Sequence, residues 1–166
     1  EALGVAVAGD TVKVAGRAGS PLTYPERVPL RAGVALLGGY GLGGTPFATR
    51  APDSTVSVLH GQSEGNVVTV PSGAGRSTVI DGFLIREGLT GRGGGLFASG
   101  ASPTVRGNVF YLNASNSAIS GGGGAIRLEL GSDALVDGNT FVRNTSQGQS
   151  GTVHASNSSP EIVNNI

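Results

Sequence analysis

The sequence predicts an all-β fold, a right-handed parallel β-helix of about seven coils with a short N-terminal cap. Short runs rich in Val, Ile, Phe and Thr alternate with turns of Gly, Ser, Asn and Asp, which is the chemistry of strands and turns. One phrase recurs every 21 to 31 residues, too often for four-stranded propeller blades. No run has the 3.6-residue periodicity of a helical repeat. Parallel crossovers are right-handed in about 98% of cases, which gives the expected handedness.

The repeated phrase is clearest in the second half of the chain. Residues 105–110 read V-R-G-N-V-F, residues 136–141 read V-D-G-N-T-F, and residues 162–166 begin the same phrase again. Traced backwards, its third position gives one column: Gly39, Gly61, Gly82, Gly107, Gly138 and Asn164. We expect each copy to form one coil, with turns of unequal length between strands of fixed register.

Alternation along the strands predicts which side chains face inward. Because coils stack about 4.8 Å apart, equivalent positions form columns. One predicted inward column is Leu37, Leu59, Ile80, Val105, Val136 and Ile162, and a second is Ile85, Phe110 and Phe141. At the bend between the two columns lie Asn108, Asn139 and Asn165. Stacked Asn amides hydrogen-bond from coil to coil, so we expect these residues to be structural.

A single domain is expected for residues 1–166, with residues 1–8 forming part of an N-terminal cap and residues 9–166 forming the coils. The last phrase stops inside a predicted strand, and no polar capping segment follows it. Repeat proteins need such caps to cover open strand edges. We therefore expect the chain to be part of a longer protein, with end-to-end contact with another protein subunit as the alternative.

Composition weighs against several classes of function. Eleven basic and eleven acidic residues cancel, whereas nucleic-acid binding needs a basic surplus. No apolar run approaches the roughly 20 residues of a membrane helix. The absence of Cys excludes disulfides and thiolate zinc sites. We therefore expect no nucleic-acid partner, no membrane insertion and neither a metal nor another cofactor.

A charged row is predicted on the outer surface, beside the glycine column. It consists of His60, Asp81, Arg106 and Asp137 on neighbouring coils. An imidazole, two carboxylates and a guanidinium could catalyse β-elimination or glycosidic hydrolysis of a polysaccharide. The alternating order of acid, arginine and acid is also typical of a charge-paired ladder between adjacent strands, and this structural interpretation is favoured.

A second outward row consists of Phe97, Arg127 and His154, which lie 30 and 27 residues apart. The residue before each of them is apolar and predicted to point inward, so these three side chains point outward. An aromatic ring, a guanidinium and an imidazole in line can stack on sugar rings and hydrogen-bond to hydroxyls. The row is therefore a candidate ligand-binding site, with an ordinary surface row as the alternative.

Several segments carry a resemblance to a known family. Residues 8–15 (A-G-D-T-V-K-V-A), 24–28 (Y-P-E-R-V) and 33–40 (G-V-A-L-L-G-G-Y) resemble the start of right-handed parallel β-helix proteins of the pectate-lyase-like superfamily. The phrases G-G-G-L-F and S-P-T-V-R-G-N-V-F resemble repeats of its uncharacterised bacterial surface and secreted members. The resemblance implies a secreted or cell-surface location and a polysaccharide or cell-surface glycan as partner.

The resemblance leaves the activity open, because the superfamily includes lyases, hydrolases, phage tailspikes and adhesins. Its pectate-lyase-type enzymes use an Arg or Lys beside calcium-binding acids, so calcium is expected only if the chain is lyase-like. Its polygalacturonase-type enzymes carry D-D and G-H-G signatures, and neither occurs here. We therefore expect a noncatalytic extracellular β-solenoid with a structural, adhesive or glycan-binding role. The alternative is a polysaccharide lyase or glycoside hydrolase, or a fragment of one, that acts on an acidic polysaccharide.

Overall fold

The protein is a parallel β-solenoid of about five turns, seen in a computed structural model that describes residues 2–42, 47–119, 121–147 and 151–166. One short helix, α1 (Ala2–Val5), precedes the strands. The all-β parallel fold predicted from the repeat is therefore confirmed.

Each turn contributes three or four short strands. The first turn contains β1 (Thr11–Ala15), β2 (Leu22–Tyr24) and β3 (Val28–Pro29), and the second contains β4 (Ala35–Tyr40), β5 (Ser57–His60) and β6 (Val68–Val70). The third contains β7 (Val79–Asp81), β8 (Phe83–Arg86), β9 (Leu89–Thr90) and β10 (Leu96–Ser99). The fourth contains β11 (Thr104–Arg106), β12 (Val109–Tyr111), β13 (Ala114–Ser115) and β14 (Ile126–Glu129). The fifth contains β15 (Leu135–Asp137), β16 (Thr140–Val142), β17 (Thr145–Ser146) and β18 (Val153–Ser156), and β19 (Glu161–Val163) begins a further turn.

Stacking of the turns produces four parallel sheets, named here in the order in which a turn visits them. Sheet 1 has the order β1-β4-β7-β11-β15-β19, and sheet 2 has the order β2-β5-β8-β12-β16. Sheet 3 contains β9, β13 and β17, and sheet 4 has the order β3-β6-β10-β14-β18. Equivalent residues of successive turns therefore lie side by side on each face of the solenoid.

The predicted count of seven coils is too high, because one phrase was assigned to the wrong sheet. Leu59 and the residues beside it lie in β5 of sheet 2, where Leu59 pairs with Ile85. The long connection from Tyr40 to Ser57 separates two strands of a single turn, so the sequence pattern counts that turn twice. In sheet 1 the residue paired with Ile80 is Leu36, not the predicted Leu37.

With those two corrections, the inward columns form the core, except that Ile162 pairs with Val136 as predicted but is 48% exposed. The column of sheet 1 consists of Leu36, Ile80, Val105 and Val136, each at most 2% exposed. Leu59, Ile85, Phe110 and Phe141 form the column of sheet 2. The rings of Phe110 and Phe141 stack with their centroids 5.3 Å apart. The second predicted column is thus confirmed, and Leu59 extends it.

The predicted asparagine stack is confirmed and has a counterpart at the next bend. Asn108 donates through Nδ2 to Oδ1 of Asn139 at 3.1 Å, and Asn139 donates in the same way to Asn165 at 3.1 Å. Five residues further along each turn, Asn113 donates to Asn144 at 3.1 Å. These ladders satisfy buried amides and fix one turn against the next.

Left-handed backbone positions also stack at the corners. One column has Gly82, Gly107 and Gly138 at φ 78°, 59° and 62°, the conformation that glycine adopts without strain. At the corner between sheets 4 and 1, the corresponding column is Gly100, Leu130 and Asn157 at φ 61°, 56° and 48°. The same turn geometry therefore recurs in successive coils even where glycine is replaced.

Candidate functional site

Three of the four residues of the predicted charged row occupy equivalent positions in sheet 1. Asp81 of β7 pairs with Arg106 of β11, which pairs with Asp137 of β15. The fourth residue, His60, lies in sheet 2, where it pairs with Arg86. Its placement in the row was wrong, because the glycine after His60 was aligned with the glycine column of sheet 1.

The carboxylate of Asp81 is held by two arginines. Its Oδ2 lies 2.9 Å from Nε of Arg106, and its Oδ1 lies 2.5 Å from a terminal nitrogen of Arg50. Asp81 is 7% exposed, and Arg50 comes from the long connection between β4 and β5, which the repeat pattern could not place. With both oxygens engaged, this arrangement favours the structural interpretation for Asp81 and Arg106, whereas Asp137 accepts a hydrogen bond from Nδ2 of Asn164 at 2.9 Å.

His60 lies in a second ionic cluster, on the outer face of sheet 2. Its Nδ1 accepts a hydrogen bond from the backbone N–H of Gln62 at 3.0 Å, and its Nε2 lies 3.1 Å from Oε2 of Glu87. Glu87 also pairs with Arg86, and the hydrogen bond from that guanidinium lowers the pKa of Glu87. Both ring nitrogens of His60 are therefore engaged by the protein itself.

The row of Phe97, Arg127 and His154 lies in register across sheet 4. Phe97 of β10 pairs with Arg127 of β14, which pairs with His154 of β18. The preceding residues Leu96 and Ile126 are fully buried in the core. Because strand side chains alternate between faces, the three row residues project from the outer face on consecutive turns.

Glu129 belongs to the same face and was missed by the sequence analysis. Its two carboxylate oxygens lie 3.2 Å from Nε of Arg127 and 3.2 Å from a terminal nitrogen of Arg92. The available signal was the pattern Arg-x-Glu within β14, since residues two apart on a strand share a face. Arg127 and Glu129 are each only 8% exposed, so the ion pair fixes the guanidinium in place.

The glycine-rich turn before β10 explains part of this burial. A Cβ atom added at Gly93 would lie 2.8 Å from Cβ of Arg127, closer than nonbonded carbon atoms approach. The absence of a side chain at Gly93 therefore lets the turn pack directly on the stem of Arg127.

His154 completes the row as a neutral imidazole. Burial lowers its pKa, and the positive charge of Arg127 lowers it further, while Glu129 has the opposite effect. Its Nδ1 is buried and has no hydrogen-bond partner within the described part of the chain. The lowered pKa favours the neutral imidazole, and the guanidinium groups of Arg92 and Arg127 share one carboxylate, Glu129.

Comparisons with protein-family models, curated proteins and solved structures find no match to this chain. Among the described residues, no group of three or more His, Asp or Glu side chains is placed to hold a metal ion. The described helix is too short to span a membrane.

Proposed function

We propose that this chain is a noncatalytic extracellular β-solenoid whose sheet 4 face binds a glycan. The observation that carries the proposal is the register of Phe97, Arg127 and His154 on three consecutive turns. With turns about 4.8 Å apart, the row presents an aromatic ring, a guanidinium and an imidazole at regular intervals. An extended sugar chain lying along the solenoid axis would meet each group in turn.

The three groups have complementary roles in sugar recognition. The half-buried ring of Phe97 offers an apolar surface for the C–H face of a sugar ring. Arg127 is 8% exposed and its Nε is engaged by Glu129, so its contact with a hydroxyl or carboxylate oxygen of the sugar would use the remaining terminal N–H donors. Because Glu129 already orients Arg127, little side-chain entropy remains to be lost on binding.

The charge of the face favours an acidic glycan. Arg92 and Arg127 outnumber Glu129, their common ion-pair partner. A carboxylate or sulfate on the sugar would add a second acceptor for these guanidinium groups, which speeds association and selects against neutral sugars. We therefore propose an acidic polysaccharide or an acidic cell-surface glycan as the ligand.

The described ionic groups support binding rather than catalysis. Asp81 is engaged by Arg50 and Arg106, and His60 is engaged by Gln62 and Glu87. These ion pairs and hydrogen bonds hold both side chains in place, as expected for groups with a structural role. The resemblance to the pectate-lyase-like superfamily supports the extracellular location, and a lyase or hydrolase remains the alternative proposal.

A panel of matched acidic and neutral glycans tests the proposal. We expect the purified protein to retain acidic members, with binding that weakens as salt screens the guanidinium groups. The same acidic polysaccharides are then incubated with the protein and assayed for new reducing ends and unsaturated products. Failure to bind any glycan contradicts the proposal. Product release from any acidic polysaccharide would establish the enzyme alternative instead, and loss of that release in Asp81→Asn with an unchanged thermal melt would assign Asp81 to it.

A further inference from the structure

The N-terminal end of the solenoid contains a cavity of about 440 Å³. This volume lies within the usual range for small-molecule sites, which are mostly apolar with a few polar groups. The apolar part of its lining consists mainly of Leu3, Val12, Val14, Val28, Leu36 and Leu59. None of the residues of the sheet 4 row lines the cavity.

The cavity lies beside apolar residues of the first turn that are less buried than their equivalents in the second turn. Val12 and Val14 of β1 are only partly buried, whereas Leu36, which pairs with Val12, is 2% exposed. Apolar side chains of the first turn thus face empty space and lose the dispersion contacts that a filled interior provides. A ligand that fills the space would restore them.

Charged groups converge at the edge of this cavity. Among the described residues, Lys13 and Arg27 line it together with one carboxylate, Glu26. Lys13 donates to the carbonyl of Phe47 at 3.4 Å, and one terminal nitrogen of Arg27 donates to the carbonyl of Glu64 at 2.9 Å. Both cations are held by neutral carbonyls, so the edge has a net positive charge that favours an anionic group.

Two residues of the cavity lining, Tyr24 and Phe47, have unusual properties. Burial raises the pKa of Tyr24, with Glu26 adding to the effect, and shifted ionisation is common in functional pockets. Phe47, which also lines the cavity, has φ 62°, a strained conformation for an aromatic residue. The helix α1 borders the cavity through Ala2, Leu3 and Gly4, and Leu3 packs against the core.

We propose that this cavity binds a single-chain amphiphile with an anionic head. The apolar tail lies among Leu3, Val12 and Val14, and the head lies at Lys13 and Arg27. This site is independent of the glycan site, and its occupant differs in chemistry from a sugar.

A chain-length series of alkyl carboxylates, titrated calorimetrically below their micelle-forming concentrations, tests the proposal. Each additional buried methylene should tighten binding about fourfold until the cavity is full, after which affinity should level off. Alkyl trimethylammonium ions of equal length should bind more weakly. Absence of binding at every length, or affinity that rises without levelling off, would overturn the proposal, since unlimited growth indicates adsorption to a surface.

Two phenylalanine substitutions on α1 provide a matched test. Leu3→Phe fills part of the cavity and should weaken binding at least about tenfold, whereas Val5→Phe should leave it unchanged because Val5 is 84% exposed. Arg27→Gln should reduce the preference for carboxylates over alkyl alcohols. Should Leu3→Phe disturb folding, Val14→Phe fills the same space from β1. Equal affinity in wild type and a folded filling variant would refute the site, while Phe97→Ala should leave amphiphile binding intact.

Discussion

The first two turns of this solenoid are built less regularly than the last three. From the third turn onward, four short strands follow one another closely and two asparagine ladders join successive turns. The first two turns have three strands each, a long connection after Tyr40 and the 440 Å³ cavity. Regular turns bring equivalent side chains into register, both in the core and on the surface. The repeat that fills the interior therefore also aligns the row on sheet 4.

The largest difference between the two regions should appear in core truncations. Phe110→Ala should lower the free energy of unfolding by about 3 to 5 kcal/mol, because the ring is fully buried and stacks on Phe141. Val12→Ala, beside the cavity, should cost about 1 kcal/mol or less, and less than Val105→Ala at the equivalent, fully buried position of the fourth turn. Urea denaturation measures the three losses, and equal losses for the two valine variants would show that the two regions are equally well packed.

The asparagine ladder should give the next largest effect. The side chain of Asn139, which is 1% exposed, accepts hydrogen bonds from Asn108 and donates to Val105 and Asn165. Asn139→Ala should cost about 2 to 3 kcal/mol, since it leaves buried partners unsatisfied. Asn116→Ala, at an exposed position, should change stability by less than about 0.5 kcal/mol. If Asn139→Ala costs no more stability than Asn116→Ala, the asparagine ladder does not stabilise the regular turns.

A gain in stability is expected at one corner of the fourth turn. Leu130 has φ 56° and is 66% exposed, and its equivalents in adjacent turns are Gly100 and Asn157. Leu130→Gly should raise the free energy of unfolding by up to about 1 kcal/mol, because it relieves the strain of a left-handed side-chain residue. Leu130→Ala keeps the strain and should give none of the gain. A comparison of the two thermal transitions decides whether the corner geometry limits stability.

A smaller effect, confined to one pH range, is expected from His154. Its pKa is lowered in the folded protein by burial and by Arg127, so the unfolded chain binds more protons as the pH falls. The stabilisation from the neutral imidazole is therefore complete above about pH 6.5 and is lost as the pH falls through the lower pKa of the folded state. The free energy of unfolding, measured by denaturation across pH 5 to 8, should fall with decreasing pH more steeply in wild type than in His154→Gln. Parallel plots of this free energy against pH for the two proteins would contradict the prediction.

The regular part of the fold was predictable from the sequence because its repeats preserve spacing. The pairs Asn108 and Asn139, and Phe110 and Phe141, lie 31 residues apart and fall in register as expected. Leu59 and His60 were predicted in sheet 1 but lie in sheet 2. The connection before them has an irregular length, and their strand has the sequence pattern of a sheet 1 strand. A sequence period indicates which residues are equivalent only where the turn lengths are nearly constant.

The candidate site was predictable only in its repeating part. Phe97, Arg127 and His154 follow the strand spacing, so their alignment could be inferred. Arg92 comes from a turn, and its contact with Glu129 depends on how that turn folds back, which no period encodes. The same holds for Arg50 beside Asp81. Side chains from irregular connections complete both ionic clusters, and they require the three-dimensional structure.

Two matched aromatic residues allow the most direct test of the central claim that sheet 4 binds the glycan. Phe97 pairs with Arg127 on sheet 4, and Tyr111 pairs with Arg86 on sheet 2. Each ring is half-buried, so their removal should perturb the fold to a similar extent. With the acidic glycan that binds best, equilibrium titration of the two alanine variants should show that Phe97→Ala weakens binding about tenfold or more, while Tyr111→Ala stays within about twofold of wild type. Equal losses, or a larger loss for Tyr111→Ala, would contradict the assignment of glycan binding to sheet 4.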